Sequence, residues 1–144
     1  MNKDLHNNIG ICIMREAADW TADATTNLVD TTGYEGCEII VTVGALTNVD
    51  GSNYLEISLE ECDTTTGTSF TTVAAGDLLG AFTKIDSASE DSVVQRVGYI
   101  GNKRYLRINL NETGTISAGI IGVYAILGQP RHAPASDVTA VSAT

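Results

Sequence analysis

The sequence predicts an all-β protein: one antiparallel β-sandwich of jelly-roll or Greek-key type, with extended N- and C-terminal arms. Three observations predict it. Apolar residues alternate at period two through several segments, the mark of a half-buried strand. Turn residues recur roughly every ten positions between those segments, a spacing suited to a sandwich. Glu, Lys, Leu, Arg and Gln, the usual stock of long helices, are thin, whereas Thr, Val, Ile and Tyr are common. Strands alternating with helices would indicate a parallel α/β sheet, and that pattern is missing.

The elements follow in order. GICIMR (10–15) predicts a first strand and TNLVD (26–30) a second. In CEIIVTV (37–43) the inward set is Cys37, Ile39, Val41 and Val43. In NYLEISLEEC (53–62) it is Leu55, Ile57 and Leu59, with Tyr54, Glu56, Ser58 and Glu60 outward. VDGSN lies between these two, and Asp-Gly is a strong hairpin signal. CDTTTGTSF turns into SFTTV, AAGDLLGAF predicts a loop or one helical turn, and DSASEDS is an acidic loop. VVQRVGYI, the turn GNK, RYLRINL and the turn NETG lead to the most apolar run, ISAGIIGVYAILG (116–128). That run is too short for a membrane helix of about 20 residues, and predicts a strand buried on both faces. The domain spans 10–128. Residues 1–9 form an N-terminal arm, and 129–144 form a C-terminal tail opened by Pro130 and Pro134 and expected to be mobile in solution.

At 144 residues a single core is feasible. The net charge of −10 opposes nucleic acid and anionic membrane, both of which need Lys and Arg in excess. Cys12, Cys37 and Cys62 form no CxxC pair and are odd in number. They predict reduced thiols, at least two of them buried, rather than a disulfide framework or zinc site. MNKDLHNNIG has no apolar signal core, which predicts folding in a cytoplasm.

No catalytic constellation assembles. His6 and His132 both lie in the terminal extensions, far from the rigid neighbours a serine or cysteine nucleophile needs. GxSxG, HExxH, phosphate-loop and GxGxxG patterns are all missing. The acidic groups Glu60/Glu61/Asp63, Asp86/Glu90/Asp91 and Asn48/Asp50/Asn53 do not match an EF-hand, and calcium binding stays open. The expectation is no enzyme, no cofactor and no small-molecule substrate.

One stretch departs from the acidic background. Arg96, Lys103, Arg104 and Arg107, four of the chain's eight Lys and Arg residues, fall within twelve positions. Alternation in RYLRINL puts Leu106, Ile108 and Leu110 toward the core and aims Tyr105 and Arg107 outward. Such a pair suits a protein interface. The plainer alternative is charge balance against outward Glu56 or Glu60 on a neighbouring strand.

DLHNNI, TNLVDTTGYEGCEIIVTVG, LEISLEECDTTTGTSFTTV, VQRVGYIGNKRYLRINL and ILGQPRHAP together resemble a family of small tailed-phage virion proteins similar to capsid decoration, or cement, proteins. The resemblance covers about residues 3 to 134 and is most distinctive in RVGYIGNKRYLR and GQPRHAP. It implies a sandwich on the outer capsid surface, assembled in the bacterial host cytoplasm as a homo-oligomer, most simply a trimer, with the major capsid protein as partner. Under it, Arg96, Lys103, Arg104, Tyr105, Arg107, Pro130, Arg131 and His132 become candidate capsid or subunit contacts. Residues 1–8 and 128–144 are expected to order across neighbours. Two alternatives stand beside it. One is another virion part such as a head–tail connector or tail protein. The other is a glycan- or host-binding module using Trp20, Tyr34 or Tyr54.

Overall fold

The computed structural model describes residues 3–144; Met1 and Asn2, the first of the predicted N-terminal arm, lie outside the described residues. The strands are β1 (Ile9–Asp19), β2 (Ala24–Thr25), β3 (Val29–Asp30), β4 (Tyr34–Val43), β5 (Tyr54–Cys62), β6 (Thr71–Thr72), β7 (Leu78–Leu79), β8 (Val93–Tyr99), β9 (Tyr105–Thr113) and β10 (Ile120–Pro130). Short 3₁₀ turns cover His6–Asn8, Gly67–Ser69 and Ala75–Asp77. Sheet A runs β1-β10-β4-β8-β7 and sheet B runs β2-β9-β5-β6, with β3 also on β9. All pairings are antiparallel. The two sheets make the all-β sandwich that the alternation predicts.

The inward faces supply one core. Ile39 and Val41 of β4, Leu55 of β5, Leu106, Ile108 and Leu110 of β9, and Ile121, Val123 and Leu127 of β10 are fully buried. Each such aliphatic side chain contributes on the order of 1.5–3 kcal/mol when fully removed from water. Cys12, Cys37 and Cys62 are free and buried within this arrangement. Burial pushes the Cys12 thiol up to about 11 and the Cys37 thiol up to about 12, so both stay protonated at neutral pH.

The structure departs from the sequence expectation at three places. The Asp-Gly turn does form: the Asp50 carboxylate accepts from the Ser52 and Asn53 N–H groups at 2.7 and 2.9 Å. It does not join a hairpin, because β4 and β5 lie in opposite sheets. The turn chemistry is satisfied locally, and the ten residues between the strands are enough to cross the sandwich. GNK and NETG likewise carry the chain from one sheet to the other rather than closing hairpins.

The second departure is β10, which is buried on one face only. Ile121, Val123, Ala125 and Leu127 point into the core, whereas Ile120 on the opposite parity is exposed and Tyr124 and Ile126 are half-buried.

The third is the tail. Residues 135–144 lie along the domain as a strap. The Ala135 N–H donates to Asn7 O, the Val138 N–H to Ile11 O, and the Ile11 N–H to the Asp137 carboxylate. Leu28 and Val141 exchange two backbone hydrogen bonds at 2.7 and 2.9 Å. Beyond them the Thr144 N–H reaches Thr65 O and the Gly67 N–H reaches Thr144 O. Val138 and Ala140 pack on the core. The strap thus occupies the outer edge of β1, which would otherwise present unpaired backbone groups, and ties sheet A to the β3 and β5–β6 side of sheet B.

Deleting residues 135–144 should therefore cost about 2–4 kcal/mol of stability, from lost apolar contact and unpaired backbone groups. Urea unfolding followed by Trp20 fluorescence measures this. An unchanged midpoint would mean the strap does not hold the domain together.

Candidate interaction site

Among the strands that begin or end at one pole of the sandwich are β3 at Asp30, β4 at Tyr34, β8 at Tyr99, β9 at Tyr105 and β10 at Pro130. Between them lies an open cleft of about 440 Å³ lined by residues 31–37, residues 99–104 and Arg131. Of the residues singled out from sequence, Lys103, Arg104 and Arg131 line it, together with the glycan candidate Tyr34 and with Cys37. Pro130 stands in register with Tyr34 at its rim, and exposed His132 follows in the bend beyond. Tyr105 is half-buried, with the Arg104 guanidinium 4.8 Å from its ring centroid. Arg107 lies on the outward face of sheet B, and Arg96 is apart from all of them on sheet A.

Each cation is already engaged. Arg104 forms a two-pronged contact with Asp30 at 3.0 and 2.6 Å. That contact holds the Asp30 carboxyl below its usual range and raises the Arg104 guanidinium. Lys103 meets the Asp63 carboxylate, which raises its ammonium. Arg131 meets Glu35 at 2.6 Å. Arg107 bonds Glu60 directly across the β9–β5 register at 2.6 Å, with side chains only 13% and 14% exposed, and its guanidinium sits 4.3 Å from the Phe70 centroid. The charge-balance reading of the basic stretch thus describes these residues well.

The distinctive GYIGNK segment has a structural explanation as well. Tyr99 is buried, its hydroxyl donating to the Glu61 carboxylate and accepting from the Lys103 N–H at 2.8 Å. Burial first, and then Glu61, push the phenol well above its usual range. Its side chain passes so close to Gly101 that a Cβ there would lie 2.5 Å from the hydroxyl and 2.6–2.7 Å from ring carbons. The motif is a clamp on the β8–β9 crossing, and it fixes where Lys103 and Arg104 project.

The three aromatics considered for a glycan cleft are also occupied. Trp20 is buried and donates through Nε1 to Glu112 at 2.7 Å. The Tyr34 hydroxyl donates to Ser136 O at 2.6 Å, and Lys84 lies 4.6 Å from the Tyr54 ring centroid. Among the described residues no group of three His, Cys, Asp or Glu side chains converges to hold a metal.

A second surface escapes the residue-by-residue reading. Seven large apolar side chains are exposed among the described residues, and five of them, Ile11, Ile13, Leu79, Val94 and Ile120, are on strands of sheet A at 43–65% exposure. Half-buried Ile40, Tyr124 and Ile126 fill the space between them. The outward positions of sheet B are instead mostly polar: Glu56, Ser58 and Glu60 on β5, and Arg107, Asn109 and Asn111 on β9, with half-buried Tyr54 and Tyr105 at the strand ends. The signal was in the sequence. β1 reads IGICI and β10 reads IIGVYAIL, apolar at both parities, a pattern that needs a cover on each face.

Arg107→Ala should lower stability by about 2–3 kcal/mol by leaving Glu60 unpaired in a half-dry site. Lys103→Ala, on a pair open to water, should leave the thermal midpoint unchanged. Equal effects by calorimetry would contradict the ranking. Matched against known proteins, the chain fits no family model and no curated sequence.

Proposed function

We propose that this chain is a structural subunit of a tailed-phage virion, binding the outer capsid surface as a decoration or cement protein and assembling as a homo-oligomer. The observation that carries the reading is the two-faced sandwich: one sheet outward-apolar, the other outward-polar within a chain of net charge −10. A slab of this kind suits a subunit that is covered on one side and faces water on the other. The likeness of RVGYIGNKRYLR and GQPRHAP to cement-type virion proteins supports the capsid as the setting.

The fold is a jelly roll in this proposal. The orders β1-β10-β4-β8 and β2-β9-β5-β6, with most successive strands changing sheet, support that assignment. The capsid contact is assigned to the pole holding Lys103, Arg104, Pro130, Arg131 and His132. There Arg131 and Lys103 are held by carboxylates that stay water-exposed, so a partner can exchange one ion pair for another at little cost.

Co-sedimentation with purified capsids tests this. Binding at lattice-wide copy number, reduced by Arg131→Glu with Lys103→Glu, is the expected result. No pelleting at any salt concentration would overturn the capsid role, and a handful of copies per particle would move the chain to the connector or tail.

A further inference from the structure

We infer that the outer face of sheet A is covered by a second copy of this chain, packed face to face about a two-fold axis. This deepens the reading of the chain as an assembly subunit and rests on it.

The register gathers the apolar side chains of β1, β10 and β4 together, with Glu38, Thr42 and Arg96 between them and Leu79 and Val94. Ile13 is opposite Tyr124, which is opposite Ile40; Ile11 is opposite Ile126; Thr42 is opposite Val94. On the far side, Leu79 lies on the same face against Gly98. The surface is also level. A Cβ on Gly122 would come within 2.7 Å of the Tyr124 hydroxyl and 3.0 Å of the Thr42 hydroxyl, so the tyrosine ring lies down across the glycine instead of standing away from the sheet. Sheets pack through such level faces in the interior of sandwiches, about 10 Å apart.

Area favours a stable contact. Four strands about 4.8 Å apart, with roughly 25 Å of strand length, and the two residues of β7 present about 500 Å² per copy. A face-to-face pair then buries about 1,000 Å² in total, at the size where specific interfaces begin.

Charge selects a copy of this chain as the occupant. At the outward positions of β1 up to Ile13, β10 from Gly122 to Ile126, β4 and β8 up to Gly98, the charged residues are Glu38 and Arg96, one of each sign, while exposed Glu16 and Asp19 lie at the far end of β1, beside Ile120. Two chains of net charge −10 repel through most of their surfaces, but the middle of this face is neutral. Its one internal pair is loose: Arg96 and Glu38 are 3.7 Å apart, and the Arg96 side chain is 76% exposed. A two-fold pairing offers each copy's Glu38 to the other's Arg96, the reciprocal exchange that an isologous contact requires. The strap lies along the edge of β1 and leaves the face open.

Sedimentation equilibrium of the full chain, with the single substitutions Ile13→Lys and Val94→Lys, tests the pairing. Both side chains are at least half exposed, so the variants keep their fold, which circular dichroism checks. The expected mass is that of two 15.1 kDa chains. Each substitution, appearing twice in the pair, should weaken self-association about 100-fold. It should do so even though added lysine lowers the net negative charge that drives copies apart. Thr72→Lys on sheet B should leave the mass unchanged. A wild-type monomer, three chains per particle, or an oligomer indifferent to Ile13→Lys and Val94→Lys would overturn the inference. A dimer that ignores capsids would leave the pairing standing and remove the virion role. A monomer that pellets with capsids only while Ile13 and Val94 are intact would overturn the pairing and keep that role.

Discussion

A sandwich needs each strand to give one face to the shared core, and β10 carries apolar side chains on both. Its inward set, Ile121, Val123, Ala125 and Leu127, is sealed against sheet B. Flanked by β1 and β4 on its two edges, β10 has nowhere to turn its outward set, Ile120, Tyr124 and Ile126. The neighbours follow the same logic, with Ile11 and Ile13 on one side and Ile40 on the other. Sheet A is therefore built like an interior layer, while the rest of the molecule is built like a surface.

The remaining devices keep that layer rigid and presentable. The strap occupies the edge of β1, where open backbone groups would invite uncontrolled strand addition. The Tyr99 clamp sets the crossing from β8 to β9. The Arg107–Glu60 pair and the Phe70 ring hold the middle of sheet B. Charge is spent on balancing neighbours: each Lys or Arg of the basic stretch has a carboxylate partner. The acidic remainder carries the net negative charge, while the middle of sheet A's outer face holds one charge of each sign, Glu38 and Arg96.

Period-two alternation made the inward residues of β4, β5 and β9 legible from sequence, because side-chain parity is a local property of the strand. Sheet membership was not legible. The Asp50 turn satisfies its own hydrogen bonds whether it joins a hairpin or a crossing, so VDGSN carries no information about which sheet comes next. The docked strap was hidden for a related reason: Val138, Ala140 and Val141 are small and interspersed with polar residues, and their value comes from a groove formed by distant strands. The cluster at the pole was half legible. Arg104 and Lys103 stood out by charge, but Asp30, Asp63 and Glu35 reach them only through the fold. The face of sheet A was in view as a doubly apolar strand, and only the assembled sheet shows that several side chains of its second face stay exposed among the described residues.

Pairing of sheet A with a second copy of this chain would bury Tyr124 in the middle of the contact. Photo-crosslinking from position 124, with benzoyl-phenylalanine replacing Tyr124, tests it most directly, since that ring lies in the middle of the face. The account predicts a covalent dimer whose linked peptides come from β1, β4, β8 or β10 of the second chain. Crosslinks only within one chain, or to peptides of sheet B, would contradict it.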